Sequence, residues 1–206
     1  VEVDRDDPAF GHPTKFIGPV YTAEQAAALA AERGWTFALD GEAPRRVVAS
    51  PAPLRIVQID SVLQLLRAHH VVICAGGGGI PMARGADGHL AGVEAVVDKD
   101  ASSAVLAAAI DADLFVMATD ADAVYLDWGT PDQRAIRRIS ADRLAEHDFA
   151  AGSMGPKVAA AVAFARASGS RAAIGKLEDI EKMLHGSAGT LIEAADVPTE
   201  YYPASA

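Results

Sequence analysis

Short apolar runs that alternate with helical segments constrain the fold of this chain more than any other feature. The runs are RRVVAS (45–50), HVVICA (70–75), DLFVMA (113–118) and RAAIG (171–175). Each is apolar at both alternations, which is typical of strands covered on both faces, as in a parallel sheet with helices outside. Helical spacing of apolar residues predicts helices over 58–69, 100–112, 155–169 and 177–186. The alternation therefore predicts an α/β protein, doubly wound or sandwich-like.

The beginning of the chain differs in composition from the rest. Residues 1–45 are rich in proline and glycine, and they contain one predicted helix, TAEQAAALAAERG (22–34), which Thr22 and Gln25 can start as a capping box. We therefore predict a small lobe over residues 1–45 and an α/β core over residues 46–206.

Charge and cysteine usage exclude several classes of protein. A formal net charge of −10 argues against a nucleic-acid partner, because such binding needs many lysine or arginine contacts to phosphates. The single cysteine, Cys74, lies inside VVICA, which predicts a small buried hydrophobe and excludes an internal disulfide. No apolar stretch has the length of a membrane span, and the first residues lack a signal-peptide pattern. These features predict a cytoplasmic protein without a membrane partner.

Four consecutive glycines follow HVVICA directly: Gly76, Gly77, Gly78 and Gly79. Glycine loses more backbone freedom on folding than any other residue, so a run of four needs a reason. A strand that runs into glycines presents backbone N–H groups at the carboxyl end of a sheet, where open α/β folds bind ligands. The run matches no standard phosphate-loop pattern. An anion-binding loop and a plain flexible turn both remain open.

Two lysines fall at predicted helix starts, where the helix dipole disfavours a cation by a few tenths to about 1 kcal/mol. Lys99 lies in VVDKDASS, where Asp98 or Asp100 can cap the helix, and Lys157 follows Gly155 and Pro156. A solvated charge pair would explain either lysine alone. A bound anion would reverse the sign of the interaction, and both lysines could serve one polyanion. Phosphoryl transfer needs such positioned charges.

Polar and aromatic residues follow the strand DLFVMA. Thr119 and Asp120 come at its end, with Tyr125 and Trp128 shortly after. Such a group could hold a purine and its ribose, although aromatic residues more often serve packing. The six histidines show no zinc-binding spacing. Magnesium carried by a nucleotide needs few protein ligands, so Mg²⁺ held by a nucleotide stays open as a cofactor.

Seven phrases together resemble carbamate kinases, of the amino-acid kinase superfamily. They are DPAFGHPTKFIGPVY, RRVVASPAP, ICAGGGGIPM, GVEAVVDKDASS, ATDADAVY, AAGSMGPKVAAAVAF and HGSAGT. The resemblance implies a three-layer αβα sandwich with a mainly parallel sheet, plus a protruding lobe, and a homodimer. It also implies reversible phosphoryl transfer between ATP and carbamate to give ADP and carbamoyl phosphate, which in this family commonly runs toward ATP in arginine metabolism.

The resemblance also implies roles for single residues. Lys99 and Lys157 match the two lysines that flank the transferred phosphoryl group, and Asp100 matches the aspartate that orients them. Lys15 matches a lobe lysine that reaches over the carbamoyl site. The nucleotide is expected at Asp120, Trp128, Met154 and Pro156. Substrate and phosphate are expected at Gly76, Gly77, Gly78 and Gly79, and no metal site is expected in the protein itself.

The sequence departs from the family pattern in several places. Phe16 stands where a proline usually follows the lobe lysine, and Ala49 and Ala52 replace a proline and a lysine. The strand and Gly-Gly-Asn loop that open the family chain have no counterpart in this sequence. A non-catalytic nucleotide-binding remnant is therefore one alternative. A related amino-acid kinase with the same fold and another acceptor is a second.

Overall fold

The computed structural model describes residues 1–150 and 152–203. Its strands are β1 (Glu2–Val3), β2 (Lys15–Val20), β3 (Thr36–Asp40), β4 (Ala43–Val48), β5 (Pro53–Arg55), β6 (Met82–Arg84), β7 (Leu90–Gly92), β8 (Leu114–Thr119), β9 (Val124–Leu126), β10 (Arg134–Ser140), β11 (Arg171–Lys176), β12 (Thr190–Glu193) and β13 (Glu200–Tyr201). Its α-helices are α1 (Ala23–Arg33), α2 (Ile59–Arg67), α3 (Lys99–Ala109), α4 (Ala141–Leu144), α5 (Met154–Ser168) and α6 (Ile180–Leu184). Short 3-10 helices cover Pro8–Gly11 and Leu177–Asp179.

The chain divides into two compact units. Unit 1 contains residues 1–58 and 70–102, and unit 2 contains residues 59–69 and 103–206. The predicted lobe of residues 1–45 falls within unit 1, where β4 continues across residue 45. The division between lobe and core at that residue stays a prediction.

Unit 1 contains two small sheets. One has the strand order β2-β4-β3, and the other has the order β5-β1-β6-β7. Helix α1 packs on β4 and begins at the predicted capping box, in which the Thr22 hydroxyl accepts from the Gln25 amide and the Gln25 side chain accepts from the Thr22 amide. The predicted start of this helix is confirmed.

Unit 2 is built on a sheet of order β13-β10-β12-β11-β8, with β9 paired to β10. Helices α5 and α6 lie on its opposite faces. Ala172 and Ile174 of β11 join the buried cluster that contains Phe164 of α5, whereas a Cβ on Gly175 would meet the Met183 sulfur of α6. Helices therefore cover both faces of this sheet, and the predicted α/β class is confirmed.

The sheet of unit 2 combines parallel and antiparallel pairings, and its longest pairing, between β8 and β11, is parallel. Strands β8 and β11 are parallel, as are β10 and β12, but β11 and β12 are antiparallel, and so are β10 and β13. Strands β9 and β10 are also antiparallel. A short hairpin connection joins β9 directly to β10, and such a connection permits only antiparallel pairing.

The predicted strand HVVICA is also wrong. Residues 70–75 form neither strand nor helix, and Val71 and Ile73 are 94% and 99% exposed. Cys74, predicted to be buried, is exposed. A strand needs a neighbour that takes up its backbone hydrogen bonds, and among the described residues this run pairs with no strand. Val71 and Ile73 therefore gain almost no burial.

The other predicted elements are present near their predicted positions. RRVVAS, DLFVMA and RAAIG correspond to β4, β8 and β11, and the predicted helices correspond to α2, α3, α5 and a 3-10 turn followed by α6. Among the described residues, no helix combines the length and apolar character needed to cross a bilayer.

Candidate functional site

Asp98 stabilises the N-terminal end of α3, called here the α3 head. Its Oδ1 accepts hydrogen bonds from the amides of Asp100 (2.8 Å) and Ala101 (3.2 Å), so Asp98 rather than Asp100 caps the helix. Lys99, the first helical residue, is exposed, and its Nζ donates to Oδ2 of the buried Asp100 at 3.3 Å. The predicted placement of a lysine in the first turn is confirmed.

Lys15, the first residue of β2, reaches the same helix head. Its Nζ donates to Asp98 Oδ2 at 2.9 Å, across 83 positions of sequence. The pKa of Asp98 lies below its ordinary value. Burial, the largest influence, raises it, but the hydrogen bond and charge of Lys15 and the two capping amides together outweigh burial. The structure thus brings three of the predicted catalytic residues, Lys15, Lys99 and Asp100, to one helix start.

The glycine run lies against the residues that lead into α3. A Cβ on Gly78 would be 1.8 Å from the carbonyl oxygen of Val97, and the Ser102 hydroxyl donates to the Gly78 carbonyl at 2.7 Å. Gly76 and Gly79 have φ values of 96° and 82°, a conformation that side chains disfavour. The backbone conformation of Gly76 and Gly79 and the close approach at Gly78 therefore favour glycine at three of the four positions. The contacts of Gly78 hold the run at the start of α3.

Lys157 lies in unit 2, in the first turn of α5. The helix begins at Met154, so that Pro156 and Lys157 are its third and fourth residues. Lys157 is partly buried, and Met154 packs against the hydrophobic core of the unit. Three of the predicted site residues therefore share one helical turn, with a lysine at the positive end of the dipole.

Asp120 follows β8 at the end where β11 also finishes. Thr119 pairs in register with Lys176, the last residue of the parallel strand β11. The Thr119 hydroxyl donates to Asp120 Oδ1 at 3.0 Å, and Asp120 is exposed. Lys176, which follows the predicted strand RAAIG and was not among the predicted site residues, therefore lies at the same sheet edge as Asp120, where open α/β folds bind ligands.

Trp128 is 71% exposed and contacts Tyr125 edge to face, with ring centroids 4.8 Å apart. The Tyr125 hydroxyl donates to the Asp122 carboxylate at 3.0 and 3.1 Å. Burial, together with the hydrogen bond and charge of Asp122, raises the pKa of Tyr125. An exposed indole beside a fixed phenol offers a flat apolar surface.

A separate cavity of about 290 Å³ lies in unit 2 at the opposite strand ends. Leu114 and Arg171, the first residues of β8 and β11, contribute to its wall, together with Arg138 and Glu193. The Arg138 guanidinium forms an ion pair there with the Glu193 carboxylate, at 3.0 Å between nitrogen and oxygen, which neutralises its charge. This cavity does not include the predicted nucleotide residues. Within residues 1–150 and 152–203, no cluster of His, Cys, Asp or Glu could hold a metal ion.

The α/β fold places this chain in the class of amino-acid kinases. The model of the Amino acid kinase family matches residues 16–176, which is more than half of the chain, and the protein belongs to this family.

Among its relatives are carbamate kinases, which confirms the resemblance drawn from the sequence. The chain is 53% identical over 202 residues to the carbamate kinase of Haemophilus influenzae, which covers 98% of this chain and 65% of that protein. It is also 53% identical over 197 residues to the carbamate kinase of Rhizobium meliloti, an alignment that covers 95% of this chain and 61% of that protein. The structure of the Giardia lamblia carbamate kinase bound to AMP-PNP superposes with a TM-score of 0.85 at 37% identity, covering 93% and 62%. The chain thus spans a little under two thirds of these relatives.

Proposed function

We propose that the protein acts as a carbamate kinase, transferring a phosphoryl group reversibly between ATP and carbamate to give ADP and carbamoyl phosphate. The observation that carries this proposal is the Lys15–Asp98 ion pair, which brings the lobe lysine to the helix start that also bears Lys99. Two ammonium groups at one helix head, beside a run of exposed backbone amides, suit a small, highly charged anion. We infer carbamate as the acceptor from the carbamate kinase relatives.

The residues named above would act by electrostatic stabilisation. In the direction of ATP synthesis, an oxygen of the ADP β-phosphate attacks the phosphorus of carbamoyl phosphate, and the bond from phosphorus to the carbamate oxygen breaks. The charge on the transferred group is spread over its oxygens, and Lys99 and Lys157 would stabilise it from two helix starts. Asp100, which accepts from Lys99, would hold that ammonium in place. No covalent enzyme intermediate is required.

The nucleotide would lie at the ends of β8 and β11 and at the α5 start. Asp120 would accept from the ribose, Trp128 would contact the base, and Met154 and Pro156 would line the remaining side. The Giardia lamblia relative was solved with AMP-PNP, an ATP analogue, which supports a nucleotide as ligand. Magnesium would be bound with the nucleotide phosphates, where it neutralises charge. We also propose a homodimer, as the resemblance implies.

A second candidate function is nucleotide binding without turnover. The observation that favours it is the exposure of Val71 and Ile73 next to the glycine run, in a chain that spans a little under two thirds of its relatives. Gly78 is held at α3, but the residues before the run gain little packing, which would weaken the preorganisation that a phosphate site needs. A kinase with another acceptor remains the third possibility.

Two measurements on the 206-residue chain separate these candidates. Calorimetry with ADP measures nucleotide binding, and a coupled assay measures ATP formation from ADP and carbamoyl phosphate. Binding with turnover supports the carbamate kinase, whereas binding without turnover supports the second candidate. Replacing carbamate by acetate, aspartate, glutamate or uridylate in the direction of ATP consumption identifies a different acceptor.

A further inference from the structure

Asp98 makes two kinds of contact with its two carboxylate oxygens. Oδ1 accepts the amides of Asp100 and Ala101, which fixes the carboxylate to the head of α3. Oδ2 accepts the Lys15 ammonium at 2.9 Å. Because the first oxygen is held by the helix, the direction of the second is fixed, and so is the position of the ammonium that it binds.

The backbone also fixes the distance between Lys15 and Asp98. Lys15 of β2 pairs in register with Val48 of β4, and the next residue, Ala49, forms a parallel bridge with Ala95. The Val96 amide donates to the Ala49 carbonyl at 2.9 Å, two residues before Asp98. Adjacent residues at the end of β4 thus hold both partners of the ion pair.

We propose that Asp98 is a positioning residue that holds Lys15 beside Lys99 for the anionic group of the acceptor. This inference rests on the proposed function, since Lys15 is there the lysine of the carbamoyl site. An ammonium has three donors, and Asp98 uses one, which leaves two for carbamate or carbamoyl phosphate. Asp98 itself does not bind the substrate, because its negative charge would repel that anion.

The physical reason is the flexibility of lysine. Its side chain has four rotatable bonds and a strongly hydrated head group, so a lysine without a partner samples many positions. Lys15 is 38% exposed, and Asp98 is the partner that restricts it. Without Asp98, the ammonium would be in the productive position for a smaller fraction of the time, and affinity for the acceptor would fall.

The test is a double-mutant cycle with Asp98→Ser and Lys15→Met in the 206-residue chain. Serine is as good a helix cap as aspartate but is too short and uncharged to bind Lys15, so the substitution separates the two contacts. Asp98→Asn is the second variant, which keeps the cap and the side-chain size. The matched control is Asp87→Ser, which removes another carboxylate of unit 1 that accepts from a nearby amide, that of His89.

Each variant is assayed for kcat and for the KM of carbamoyl phosphate, and calorimetry gives the Kd of carbamoyl phosphate without ADP and the Kd of ADP alone. We expect Asp98→Ser to raise KM and Kd for carbamoyl phosphate about tenfold and to leave the Kd of ADP within about twofold. In the Lys15→Met background, Asp98→Ser should add less than about twofold. A purely structural role would instead lower the thermal midpoint and weaken both ligands alike.

If Asp98→Ser and Lys15→Met raise the Kd of carbamoyl phosphate by independent factors that multiply in the double variant, the inference is overturned. It is also overturned if Asp87→Ser raises this Kd as much as Asp98→Ser does. If the wild-type chain binds carbamoyl phosphate but forms no ATP, the proposed function fails while the Kd cycle still decides the role of Asp98. If the wild-type chain binds no carbamoyl phosphate at all, the role of Asp98 is overturned.

Discussion

The backbone of Gly78 lies against the carbonyl of Val97, so close that a Cβ at this glycine would be 1.8 Å from the carbonyl oxygen. The contact joins the glycine run to the residue that precedes the helix cap Asp98. The Ser102 hydroxyl strengthens this connection by donating to the Gly78 carbonyl. The glycines and the lysine-bearing helix start are therefore one structural feature of unit 1.

Gly78→Ala should destabilise unit 1 by about 1–3 kcal/mol, the usual cost of forcing extra atoms into a packed site. The clash is with backbone, which cannot move aside as a flexible side chain can. Urea unfolding measures the effect. Gly77→Ala is the matched control, because a Cβ there would meet no atom within 4 Å. Equal stability of the two variants would show that the close approach does not exist in solution.

Lys157→Met should lower turnover by roughly 10²–10³, the scale of removing one preorganised charge donor. Nucleotide affinity should change much less, because the lysine would act mainly on the charge of the transferred group. The coupled ATP-formation assay gives the ratio of wild-type to Lys157→Met turnover. Lys182→Met is the control, since this exposed lysine pairs with Asp179 on the surface at 2.7 Å. Unchanged turnover in Lys157→Met would exclude its proposed role.

The Lys15–Asp98 pair should contribute stability that depends on pH. The pKa of Asp98 is lowered in the folded state. The contribution is therefore fully present above the unfolded-state pKa of about 3.9 and is lost as the pH falls through the lower native pKa. Because Lys15 and Asp98 remain 38% and 22% exposed, solvent screens the pair, and we expect at most about 1 kcal/mol.

This contribution is measured as the difference in unfolding free energy between wild type and Asp98→Ser. The difference should be larger at about pH 7 than at about pH 2.5. A difference that did not decrease with acidification would mean that the charge of Asp98 makes no contribution.

Trp128→Ala should weaken ADP binding about tenfold, because stacking of a base on an aromatic side chain is worth about 1–3 kcal/mol. The same residue provides a direct signal. The chain has two tryptophans, so Trp35→Phe leaves Trp128 as the single reporter of fluorescence. Its emission should change on titration with ADP. Trp128→Phe is the control, because it leaves Trp35 as the single tryptophan. The Trp35 ring packs against the Arg46 guanidinium, whose carbon is 3.8 Å from the ring centroid, and its emission should not change on titration with ADP. An unresponsive Trp128 would place the base elsewhere.

The helix starts could be predicted from sequence because they depend on local chemistry. Thr22 and Gln25 form their capping box within four residues, and Gly155 and Pro156 place Lys157 in a first turn without help from distant parts of the chain. Local chemistry also predicts Lys99 at a helix start, with Asp98 or Asp100 as the cap. Only the structure distinguishes the two, because Asp100 is turned toward Lys99.

Features that depend on distant partners could not be predicted. The apolar pattern of HVVICA shows a preference for burial but not which segment supplies it, and Val71 and Ile73 stay exposed. Strands that are apolar on both faces fit parallel and antiparallel neighbours alike, so the direction of β12 beside β11 was not determined. The Lys15–Asp98 contact spans 83 positions, and no periodicity predicts a contact at that separation.

We propose that Lys99 and Lys157 bind one phosphoryl group, each from the first turn of its helix. A crystal structure of the chain with AMP-PNP and magnesium tests it most directly. We expect Nζ of both lysines to lie about 2.7–2.9 Å from oxygens of the terminal phosphate. A terminal phosphate bound elsewhere, with either ammonium directed into solvent, would contradict it.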